Sequence, residues 1–145
     1  MGRAWDIDEG HIDTEVFFGI LPKCLPDAST IFFEGTFIAD EVKGCLSRHA
    51  EAGKHLPGRQ TLWPMSTLYR CKFSQRLCDE MQELSSRHAQ PELCDHLSIY
   101  RGEEEVLAFH DFGANHIYVA GSVPEQAVSS FASALGLKYI EVDDG

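Results

Sequence analysis

Residues 96–121 read HLSIYRGEEEVLAFHDFGANHIYVAG. Three alternating apolar stretches separated by two glycine-bearing turns make this segment a three-stranded antiparallel meander. Side chains along a strand alternate between faces, so Leu97 with Ile99, Leu107 with Phe109, and Ile117 with Val119 form the core side. Setting Ile99 opposite Leu107 leaves Gly102, Glu103 and Glu104 as the first turn, and setting Phe109 opposite Ile117 leaves Asp111 to Asn115 as the second. The same register governs the other face. His96 comes opposite His110, and His110 opposite His116, so three imidazoles form a row across neighbouring strands about 5 Å apart.

Histidine is the commonest ligand for zinc, and a three-histidine site keeps a position open for water. His96, His110 and His116 are therefore candidate metal ligands, with Asp95 and Asp111 placed to accept the second N–H of a ring. The competing expectation is a polar row on a solvated strand face, with no cofactor.

Outward from the meander, Ser122-Val123-Pro124-Glu125 has the spacing of a capping box. Val128, Phe131, Ala132 and Leu135 recur on one helical face, Gly136 is placed to end the helix, and Leu137 to Val142 reads as a last strand. Before the meander, Ser74 caps a helix whose stripe is Phe73, Leu77, Met81, Leu84 and His88, with Arg76–Glu80 and Glu83–Arg87 as solvent-side i,i+4 pairs. Ser66 to Phe73 suits a strand with one wet face. Between Gly53 and Pro64 two glycines, two prolines and no sustained period predict a long loop. It holds Lys54, His55 and Arg59 beside Trp63, a basic cluster suited to a small anion or carboxylate, against the plainer expectation of an exposed linker.

Nearer the amino terminus, Ile38, Val42, Cys45 and His49 fall on one stripe of a helix, where His49 is expected to be a hydrogen-bonded residue at the core's edge. Ile31 to Phe33 reads as a buried strand bounded by Gly35, and Val16, Phe17, Ile20 and Leu21 as a short helix capped near Asp13 and limited by Pro22. The segment before Asp13 is rich in acids and is expected on the surface. The order α, β, α, β, α, β, β, β, α, β predicts one α+β domain over residues 1–145, with a mixed, largely antiparallel sheet packed by amphipathic helices.

Composition narrows function mainly by exclusion. With 23 acidic and 12 basic residues the formal charge is −11, a field that repels nucleic acid and anionic membrane surfaces. No apolar run approaches membrane-spanning length, and MGRAWDIDEG has no apolar core of a signal peptide. Five cysteines, an odd number without a C-x-x-C pair, argue against a disulfide framework and for a reducing cytoplasm. Nucleophile-elbow, P-loop, dinucleotide-binding and zincin motifs are absent, so no catalytic residue is assigned. The expectation that follows is a non-enzymatic, cytosolic interaction domain offering an acidic surface to a basic protein partner, in a neutralising or scaffolding role. Its rivals are a metal-dependent hydrolase using the histidine row with zinc and a small-anion binder using the 53–64 loop.

Overall fold

The structure is a computed structural model that describes residues 3–8, 10–51, 67–110 and 116–143. It is an α+β fold built on one seven-stranded sheet, and every pair of neighbouring strands is antiparallel. In chain order the elements are β1 (Arg3–Ile7), α1 (Thr14–Cys24), β2 (Thr30–Gly35), α2 (Asp40–Arg48), β3 (Thr67–Lys72), α3 (Gln75–Ser85) and α4 (Gln90–Leu93). The meander follows as β4 (His96–Arg101), β5 (Glu104–Phe109) and β6 (Ile117–Ala120), then α5 (Glu125–Leu135) and β7 (Tyr139–Asp143). The strand order is β3-β2-β4-β5-β6-β1-β7.

The meander has the register its apolar pattern demands: Ile99 faces Leu107 and Phe109 faces Ile117. Gly102, at φ 62°, makes the tight turn into β5. A bulge follows, because Tyr100 pairs with Glu105 while Ile99 pairs with Leu107. The extra residue, Val106, is thereby buried in the same core as Leu107 despite being its neighbour in sequence.

One face of the sheet carries the core. Trp5, Ile7, Ile31, Phe33, Leu97, Ile99, Phe109 and Ile117 join helix side chains in a single buried cluster. At its centre Phe17 of α1 lies 5.2 Å from Phe18, 5.6 Å from Phe109 and 5.7 Å from Phe131, centroid to centroid, tying α1 to the sheet and to α5. The Asp13 carboxylate starts α1 by accepting from the N–H groups of Glu15 and Val16, and the Ser74 hydroxyl starts α3 by accepting from Leu77 N–H.

Three expectations are corrected. The acidic opening segment is not a surface tail: Arg3–Ile7 is a strand between β6 and β7, with Trp5 and Ile7 buried and the Trp5 indole N–H donating to Val123 O at 3.3 Å. Alternation explains it, because Asp6 points to the other face of the sheet. The Ser122 capping box does not form; α5 begins after Pro124 without a side-chain cap. Ser122 Oγ instead donates to Glu104 Oε2 at 2.7 Å and accepts from Arg101 Nη2 at 3.1 Å, bracing the β4–β5 hairpin. Glu80, expected on a solvated helix face with Arg76, also reaches across to α2.

Candidate functional site

The helices described above pack on one face of the sheet, and the other face carries the candidate site. Across the middle of that outer face the register aligns Arg70, Phe32, Ser98, Ala108, Tyr118, Asp6 and Ile140, one residue from each of the seven strands. The β3-β2-β4 half is closed. Phe32 and Tyr100 meet edge to face at 5.4 Å, the Arg70 guanidinium lies 5.6 Å over the Phe32 ring, and Glu34, His96 and Ser98 are buried.

The half built on β5, β6, β1 and β7 is open. Alanines at positions 4, 108 and 120 leave the strand backbones uncovered, and with Val142 they floor a trough of about 370 Å³. Glu105 and Asp143 also line it. Tyr118 and Ile140 project from the same face with 45% and 62% of their surfaces exposed, values that make them available to another molecule and not to the core. The trough was hidden in the sequence because Ala4 and Val142 reach it only once β1 pairs with β7.

The predicted histidine row lies along this outer face. His96 and His110 approach ring to ring at 5.5 Å, and His110 and His116 flank the Phe109–Ile117 pair. His116 Nδ1 donates to Asp6 Oδ1 at 2.7 Å, and its ring stacks on Tyr118 at 6.3 Å. Strand spacing sets these rings side by side; it does not make their nitrogens converge. Asp95 accepts from Thr36 N–H at 3.1 Å, bracing the end of β2. Asp111, Lys54, His55, Arg59 and Trp63 lie outside the described residues.

Among the described residues, the set whose ligand atoms all lie within 4.8 Å of one another is Cys45, His49 and Glu80, not the three histidines. Cys45 is in α2, His49 caps it four residues later, and Glu80 comes from α3. The end of α2 is held against β3, with Lys72 N–H donating to His49 O at 3.2 Å. His49 Nε2 donates to Glu80 Oε2 at 2.9 Å, Arg48 Nη2 donates to Glu80 Oε1 at 2.9 Å, and Cys45 Sγ lies 3.6 Å from Glu80 Oε1. Hydrogen bonds from Arg48 and His49 hold the Glu80 carboxyl down at about 2. Burial, with the Glu80 charge beside it, pushes the Cys45 thiol up to about 12. The sequence placed His49 correctly at the core's edge, hydrogen-bonded, but gave no sign of its partner on α3.

The remaining cysteines, Cys24, Cys71, Cys78 and Cys94, are free and buried, and burial raises every one of their pKa values, so none is a ready nucleophile. No helix among the described residues is long and apolar enough to cross a membrane. Comparison with protein-family models, with curated proteins and with solved structures returns no match.

Proposed function

We propose that this chain is a non-enzymatic interaction domain that receives a basic polypeptide segment on the open half of its outer sheet face, neutralising or scaffolding the partner. The observation that carries the reading is the trough floored by Ala4, Ala108, Ala120 and Val142, with Glu105 and Asp143 also among its lining residues. An apolar floor inside a charged rim is the common anatomy of a protein interface, and large aromatic residues beside it, here Tyr118, make the strongest contacts. The formal charge of −11 favours a basic partner over an acidic one and speeds its encounter. Five free, buried thiols suit a reducing compartment such as the cytoplasm.

The metal-dependent hydrolase reading lacks comparable support, because the histidine row offers no converged ligand set. The test is backbone amide NMR with two extended peptides of equal length, one alternating lysine with valine and the other glutamate with valine. Expected are shifts of Ala4, Ala108, Tyr118 and Val142 with the lysine peptide alone, diminishing as salt is raised. Equal shifts with both peptides, or shifts confined to the helical face, overturn the reading.

A further inference from the structure

We propose that Cys45, His49 and Glu80 form a binding site for one divalent cation of the zinc class, with α2 supplying sulfur and nitrogen and α3 supplying oxygen. The site is independent of the interface reading, since it lies between helices and shares no residue with the trough.

One ligand atom from each residue lies within 4.8 Å of the other two. Around tetrahedral zinc, with about 2.3 Å to sulfur and about 2.0–2.1 Å to nitrogen and oxygen, neighbouring ligand atoms stand roughly 3.3–3.6 Å apart. Here Cys45 Sγ is 3.6 Å from Glu80 Oε1, and His49 Nε2 is 2.9 Å from Glu80 Oε2. Opening the second separation by about 0.4 Å is within the reach of a carboxylate on a single helix. The four-residue spacing of Cys45 and His49 puts both on one side of the end of α2, so the third ligand need only come from the helix packed against it. Three protein ligands leave a fourth position for water.

The chemistry balances without a co-reactant. A sulfur–metal bond replaces the Sγ–H bond, and that proton leaves to solvent. The His49 ring gives up to solvent the Nε2 proton it donates to Glu80, keeping its N–H on Nδ1, so that Nε2 can donate its lone pair to the ion. Two anionic ligands then offset the cation's charge. Arg48 and Arg76 both hold Glu80, at 2.9 Å and 3.3 Å, but their side chains are 63% and 85% exposed. Solvated guanidinium groups of this kind are screened and free to swing aside, so they compete weakly with a thiolate–metal bond.

The experiment is a cobalt(II) titration of the metal-free full chain, followed by absorption, with circular dichroism to confirm folding. Expected are a thiolate-to-cobalt charge-transfer band and tetrahedral visible bands that saturate at one equivalent and vanish when zinc(II) is added. Cys45→Ser should lose the charge-transfer band. His49→Gln, which keeps a side-chain amide able to donate to Glu80 and whose folding the circular dichroism verifies, should bind cobalt at least about tenfold more weakly. Zinc should raise the thermal midpoint of the wild-type chain more than that of His49→Gln. Absence of the band in folded wild-type protein, or an unchanged cobalt affinity in His49→Gln, overturns the site.

Discussion

The two faces of the sheet differ in the size of the side chains they present. The inner face sets Trp5, Phe33, Phe109 and Ile31 against Phe17, Phe18 and Phe131, all nearly inaccessible to water. The open half of the outer face sets alanine beside alanine and leaves tyrosine and isoleucine in solvent. Fully burying a large apolar side chain stabilises by about 1.5–3 kcal/mol, so the inner face supplies most of the stability. The open half of the outer face contributes little to it, whereas the β3-β2-β4 half buries Phe32 and Tyr100. Within single strands, residue by residue, buried positions alternate with positions on the open face: in β1, Trp5 faces the core while Ala4 faces the trough.

The sharpest way to break this division is at the centre of the core. Phe17→Ala should cost about 3–5 kcal/mol in urea unfolding, because it leaves a cavity facing Phe18, Phe109 and Phe131 at once. A loss below about 1 kcal/mol would mean that the inner face is not the seat of stability. Next in size is Gly121→Ala. A Cβ at this position would collide with Arg3 O, a backbone atom that cannot move without displacing β1. The expected cost is about 2–3 kcal/mol, accompanied by faster amide hydrogen exchange across β1.

These two positions also show what the sequence reveals and what it hides. The meander was legible because its register is local: alternating residues and short turns determine that Ile99 meets Leu107 and Phe109 meets Ile117. β1 was not, because its partners come from the far end of the chain, with Ala4 opposite both Ala120 and Val142, and because Asp6 and Asp8 disguise the alternation of Trp5 and Ile7. Ser122 had the spacing of a cap but found Glu104 and Arg101 nearer, a tertiary competition that spacing cannot register. Glu80 was visible as an i,i+4 partner of Arg76, whereas its contacts with Arg48 and His49 exist only because α2 packs on α3. The histidine row followed from register alone; whether its nitrogens converge depends on ring orientation, which register does not specify.

The α2–α3 contact gives a smaller, pH-dependent effect. The Glu80 carboxyl is held at about 2, below its ordinary 4.5, first by Arg48 and then by His49. Its contribution to stability is therefore complete above the ordinary value and is lost as the pH falls from about 4.5 towards 2. Because Arg48 and Arg76 are largely solvated, that contribution is about 1–2 kcal/mol and not the larger amount the shift alone implies. In metal-free protein, Glu80→Gln should be less stable than wild type at neutral pH by this amount, with the gap closing in acid. A gap that stays constant down to pH 2 would assign the effect to packing.

The smallest change in stability should accompany the largest change in binding. Tyr118 is 45% exposed, and its ring stacks on His116, itself held by Asp6. Tyr118→Ala should therefore alter unfolding free energy by less than about 0.5 kcal/mol. At an interface a tyrosine beside an apolar floor is a strong anchor, and its removal should weaken the lysine–valine peptide about tenfold, close to 1.4 kcal/mol. Titration calorimetry at low salt separates the two quantities. If Tyr118→Ala unfolds as readily as Phe17→Ala, the outer face is part of the core after all. If it binds the peptide as wild type does, the trough is not where a basic segment docks, and the contrast between the two faces loses its functional half.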